Sequence, residues 1–86
     1  MKITGMDEFQ ITCRELFVEW FNKHRDNHIT MGGTFVVWSC KTLQNMKCLC
    51  SQNIDGDTTY AEFTYNGDKQ ELYADFYTKE ENVVYR

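Results

Sequence analysis

The chain has 86 residues, 15% of them aromatic, no proline and a formal charge of −4 at neutral pH. That length makes one domain, which buries roughly 60% of its unfolded surface: enough for one helix against one sheet, too little for a cleft between two lobes. Residues 1–43 hold five acids and five Lys/Arg, whereas residues 44–86 hold eight acids and four Lys/Arg, and an acidic half of that kind repels phosphate backbones and argues against direct nucleic-acid binding.

Met1–Asp7 has one lysine and no apolar region follows it, so no signal peptide is read. No apolar run approaches the ~20 residues of a membrane span. A soluble, cytoplasmic protein is expected. Thr4-Gly5-Met6-Asp7 fits a capping box, in which the Thr hydroxyl accepts orphan N–H groups. Phe9, Cys13, Leu16, Phe17, Trp20, Phe21 and His24 then recur at helical spacing, predicting an amphipathic helix from about Met6 to Arg25. Asp7 and Glu8 in its first turn and Lys23, His24 and Arg25 in its last complement the helix dipole. Asp26–Gly33 is the one long connection. Its Gly32-Gly33 pair precedes a strand with no Lys-Ser/Thr, so it turns the chain and is not a phosphate loop.

Four strands are predicted at Thr34–Cys40, Met46–Gln52, Thr58–Tyr65 and Lys69–Phe76. Asn66-Gly67 reads as a type I′ two-residue turn, setting Phe63 opposite Gln70, Ala61 opposite Leu72 and Thr59 opposite Ala74, with Glu62 facing Glu71 on the other side. Asp55-Gly56 reads as a second turn and places Cys48 against Phe63 and Cys50 against Ala61. A loop of odd length around Lys41–Asn45 places Trp38 against Cys48 and Val36 against Cys50. Val36, Trp38, Cys40, Met46, Cys48, Cys50, Ala61, Phe63 and Leu72 then share one face. Thr78-Lys79-Glu80-Glu81 fits another capping box, which opens a short C-terminal helix over Lys79–Arg86; the alternative is a fifth strand through Val83-Val84-Tyr85. The expected fold is α+β: one long N-terminal helix packed on a four-stranded antiparallel meander, order 1-2-3-4, in a single domain over 1–86.

Chemistry is sparse. Cys48 and Cys50 at i, i+2 point the same way on a strand, among apolar residues, and read as core packing. A zinc site would want paired C-x₂₋₄-C ligands, and one C-x-C with lone Cys13 and Cys40 fits poorly even if His24 or His28 joined. Asp55-Gly56-Asp57 lacks the terminal Glu of a calcium loop. Glu62 and Glu71 could repel one another into an acid/base pair, but an open sheet face offers no dry pocket. No cofactor, metal or catalytic residue is assigned, and the chain is expected not to be an enzyme. The uncovered face would carry Phe35, Val37 and Leu49 as an apolar corner and Tyr60, Glu62, Glu71, Tyr73, Asp75 and Tyr77 as a tyrosine/carboxylate zone. Exposed apolar patches and tyrosines mark partner sites.

The run Phe35-Val36-Val37-Trp38-Ser39-Cys40-Lys41-Thr42-Leu43-Gln44-Asn45, followed by Thr64-Tyr65-Asn66-Gly67-Asp68-Lys69-Gln70-Glu71-Leu72-Tyr73, resembles a family of small, functionally uncharacterised proteins of phages and prophages of Gram-positive bacteria. The resemblance runs from Met6-Asp7-Glu8-Phe9 to Glu81-Asn82. Members commonly carry apolar, non-cysteine residues where Cys48 and Cys50 stand here, in keeping with packing. The resemblance implies a bacterial host cytoplasm and a role common among short acidic phage proteins: binding and inhibiting or modulating a host protein, such as a CRISPR nuclease or other defence machinery. It transfers no catalytic residue. The alternatives are a homo-oligomeric structural phage protein, with a homodimer through the same face, or a small Cys/His metal-binding module.

Overall fold

A computed structural model describes all 86 residues as one helix on one sheet. Helix α1 spans Met6–His24, followed by a single 3-10 turn at Met31–Gly33. Strands β1 (Thr34–Thr42), β2 (Asn45–Gln52), β3 (Thr59–Asn66) and β4 (Glu71–Thr78) form an antiparallel meander in the order β1-β2-β3-β4. The molecule is a slab, 38 × 37 × 18 Å, because α1 covers one sheet face and nothing covers the other.

α1 forms where the apolar period places it. Phe9, Cys13, Phe17 and Phe21 are fully buried, with Leu16 and Trp20 beside them. Gly5 is the N-cap and no side chain caps the helix; the expected Thr4–Asp7 box does not form, and Thr4 N–H donates instead to Glu8 Oε1 at 3.2 Å. Polar side chains fix the helix to the rest of the fold. Arg14 donates to Met31 O and Thr34 Oγ1, and Asn22 clasps Ile29 by giving a hydrogen bond to its carbonyl and taking one from its N–H. On the sheet side the core is Met46, Cys48, Cys50, Ala61, Phe63 and Tyr65, with Val36, Leu72 and Phe76 at its margin. The buried Tyr65 hydroxyl ties down the N-terminal segment, accepting from Ile3 N–H and donating to Met1 O.

The register departs from expectation at two of the three hairpins, for separate reasons. In β1 the pairing runs Val36↔Cys50 and then Trp38↔Leu49, so Val37 is an extra, bulged residue. The turn that follows, Leu43-Gln44, is a two-residue loop with Leu43 left-handed at φ 56°. The odd residue lies in the strand and not in the loop. A one-residue bulge exchanges faces for everything beyond it: Trp38 and Cys40 move off the core face, and Ser39 replaces them, accepting a hydrogen bond from Gln10 Nε2 at 2.8 Å. The β3–β4 loop holds four residues, Gly67–Gln70, so the pairs are Ala61↔Phe76, Phe63↔Ala74 and Tyr65↔Leu72. Asn66 acts through its side chain, accepting from the Asp68 and Lys69 N–H groups, and the left-handed residue is Gln70 at φ 53°. Gly67 is needed for close approach: a Cβ there would lie 2.2 Å from Gln44 O. This slip of register keeps each residue on its expected face because the shift is even. At Asp55-Gly56 the expected register holds, Cys48↔Phe63 and Cys50↔Ala61, but β2 ends at Gln52, β3 starts at Thr59 and only Gly56 is left-handed, at φ 81°, so the turn is not the expected type I′.

Residues 79–86 form neither a helix nor a fifth strand. Lys79 N–H still bonds to Thr58 O, after which Val83, Val84 and Tyr85 are exposed, Tyr85 by 90%. Three apolar residues with no surface to cover cannot offset the entropy of an eight-residue helix.

Candidate functional site

The uncovered sheet face is organised in cross-strand rows. One row reads Trp38, Leu49, Glu62, Asp75; the next reads Cys40, Lys47, Thr64, Tyr73. Beyond them Phe35 pairs with Ser51 and Tyr60 with Tyr77, while Glu71 ends β4 opposite Asn66. All nine residues expected on this face are there. The structure adds Trp38 and Cys40 between them.

The apolar corner is larger than the sequence implied, because the bulge delivers Val37 and Trp38 together opposite Leu49. Phe35, Val37 and Trp38 are each nearly half exposed, Trp38 by 43%, and Tyr73 and Tyr77 match them across the sheet. The tail leaves this corner open, since Val83, Val84 and Tyr85 are themselves exposed. The sequence carried a signal for the missed tryptophan: Phe35-Val36-Val37-Trp38 is an unbroken apolar run where a half-buried strand should alternate.

The carboxylates are arranged differently from expectation. Glu62 faces Asp75, not Glu71, because the loop is longer. Lys47 Nζ reaches Glu62 Oε1 at 3.4 Å, the one salt bridge in the molecule, so Asp75 and Glu71 have no cationic partner. Tyr73 donates its hydroxyl hydrogen to Glu71. That bond raises the Tyr73 phenol above its ordinary value, with desolvation and the Glu71 charge adding to it. Burial, and then the Glu62 and Asp75 charges, push Tyr77 up as well. The face therefore presents neutral phenols set among carboxylates, an arrangement that suits hydrogen-bonded and cationic contacts.

The cysteines divide between the two sides. Cys13, Cys48 and Cys50 meet beneath α1, fully buried, with the Cys48 and Cys50 sulfurs 3.6 Å apart. Hydrogen bonding to Cys48 and burial push the Cys13 and Cys50 thiols far up, while the same hydrogen bonds push Cys48 down. Cys40 is exposed on the opposite face. His24 stacks on Trp20 at 4.4 Å between ring centroids, and His28 is exposed in the loop. No three His, Cys, Asp or Glu side chains are grouped to hold a metal ion, and no helix is long and apolar enough to cross a membrane.

Fold and face together define a class: a two-layer α+β domain with its helix on one side and an aromatic, acidic sheet face on the other. Within that class, a family model matches residues 10–86, and the chain belongs to this family, described as a family of unknown function (DUF6275). No curated protein and no solved structure gives a significant match to the chain.

Proposed function

We propose that this protein is a non-enzymatic accessory protein of phage type, which binds a host protein through its open sheet face and inhibits or modulates it. The observation that carries the reading is the continuous face from Phe35 and Trp38 to Tyr73 and Tyr77. It sets half-exposed aromatics around one ion pair and two carboxylates without a cationic partner. Binding energy concentrates at Trp and Tyr anchors of this kind. A rigid four-stranded sheet holds them in place before contact, which lowers the entropic cost of association. These two acids select a partner surface bearing lysine or arginine and disfavour nucleic acid.

The reading is tested by a tagged pull-down from bacterial lysate with wild type and the Trp38→Ala/Tyr73→Ala double variant. The captured protein is then purified and titrated against both. Stoichiometric binding by wild type, at least about tenfold weaker for the variant at an unchanged thermal midpoint, supports the reading. Equal affinity of the two forms removes this face as the site. A wild type that captures only itself points to a homo-oligomer.

A further inference from the structure

β4 has a neighbour on one side only. Its eight residues pair with β3, and its outer edge leaves alternate backbone N–H and C=O groups unpaired. The other sheet edge, β1, is bent by the Val37 bulge, a device that blunts an edge against further pairing. β4 has no bulge, and its ladder is regular from Glu71 to Thr78.

The helix side of this edge is also unfilled. α1 packs chiefly over β1 and β2. Ala74 is consequently exposed although its cross-strand partner Phe63 is fully buried. Between helix and edge runs a groove of about 280 Å³, floored by Phe63 and walled by Leu16 and Trp20 on one side and Leu72, Ala74 and Phe76 on the other. Trp20 stacks on Phe76 at 4.0 Å between ring centroids. On the opposite side of the same strand stand Glu71 and Asp75, neither with a cationic partner.

We propose that β4 and this groove form a strand-addition site for an extended protein segment of alternating apolar and basic residues. The incoming main chain extends the sheet by one strand. Its apolar side chains drop beside Ala74, and its basic side chains lie across from Glu71 and Asp75. A second copy of this chain is the poorer occupant, because pairing β4 with β4 would bring four carboxylates onto one face. The site rests on the strand edge and the helix-side groove, and only its preference for basic residues draws on Glu71 and Asp75, which it shares with the open face.

The probe is a capped peptide of eight residues, matching the length of β4, with valine and lysine alternating. It is titrated into the isotope-labelled full chain and followed by NMR. Slowed hydrogen exchange at alternate β4 amides, with methyl shifts at Leu72 and Ala74, is the expected result. Two control peptides should bind at least about tenfold more weakly: one N-methylated on the edge that faces β4, and one with glutamate in place of lysine. Ala74→Leu, which fills the groove, should weaken binding, and Trp38→Ala should leave it unchanged. Equal binding of the N-methylated peptide overturns strand addition without any change to the protein's own fold. Equal binding of the glutamate peptide overturns the basic partner. Protection of β4 that appears without peptide and grows with protein concentration makes a second copy the occupant.

Discussion

The two faces of this sheet are built from similar residues and put them to opposite uses. On the covered face, Phe63, Tyr65 and Cys50 have almost no contact with solvent and touch one another or α1. On the open face Trp38, Tyr73 and Cys40, of the same chemical kinds, stand exposed. Apolar content therefore does not say which face is core. What decides is α1, which covers one side, and the Val37 bulge, which determines which β1 residues lie under it. The covered face should govern stability and the open face should tolerate change, and each part of that contrast can be tested.

Thiol chemistry reads both faces with the same atom. Cys40 should react at once with a disulfide reagent, and Cys13, Cys48 and Cys50 only when the domain opens. For a domain of ordinary stability that separates the two rates by about 10³-fold or more. A stopped-flow titration giving one fast and three slow thiols is the expected trace. Four fast thiols would mean that the helix lifts from β2 without opening of the whole domain.

Truncating an aromatic on each face gives the next largest difference. Phe63→Ala should cost about 3–5 kcal/mol in urea unfolding, since it removes a fully buried ring that packs edge-on against Phe76. Trp38→Ala should cost under about 1 kcal/mol, because the side chain is already 43% exposed. Similar costs at the two sites would abolish the contrast and make Trp38 part of the fold. Between these two costs lies Gly67→Ala, expected to destabilise by about 1–3 kcal/mol through the clash with Gln44. That loss would show that the two loops at this end of the sheet must touch for the hairpins to keep their register.

The helix, the strand order and the covered residues of β2 and β3 were legible because period and turn agree there. Phe9, Cys13, Phe17 and Phe21 repeat at helical spacing, and Gly56 supplies the positive φ its turn requires. Two features were hidden. The Val37 bulge depends on how β1 fits under α1, a tertiary matter, and it turned Trp38 and Cys40 outward against their apparent pattern. The Asn66 turn looked local, yet Asn66 accepts hydrogen bonds through its side chain and Gly67 answers to Gln44, over 20 positions earlier in the chain. Tyr60, Glu62, Glu71, Tyr73, Asp75 and Tyr77 still share one face, because the β3–β4 loop shifts their pairing by an even number of residues. The helix-side groove at β4 was not legible at all. It follows from where α1 comes to rest across the sheet, which its own amphipathic pattern does not specify.

The smallest effect concerns the open face alone. Burial and the charges of Glu62 and Asp75 raise the folded-state pKa of Tyr77 above the ordinary phenol value of 10.0. A group whose pKa is higher when folded binds more protons in the native state over that interval, so stability falls as pH rises through it. The contribution is complete below pH 10.0 and disappears as pH climbs through the folded value. Tyr77→Phe should therefore leave the urea midpoint unchanged at pH 7 and flatten its decline in the alkaline range. Absorbance at the phenolate band should show one late-ionising tyrosine fewer in the same variant. An unaltered alkaline decline in Tyr77→Phe would mean that Glu62 and Asp75 do not act on Tyr77 as a pair. The acidic zone would then be a set of separate solvated charges, with the aromatic corner around Trp38 left as the only organised part of the open face.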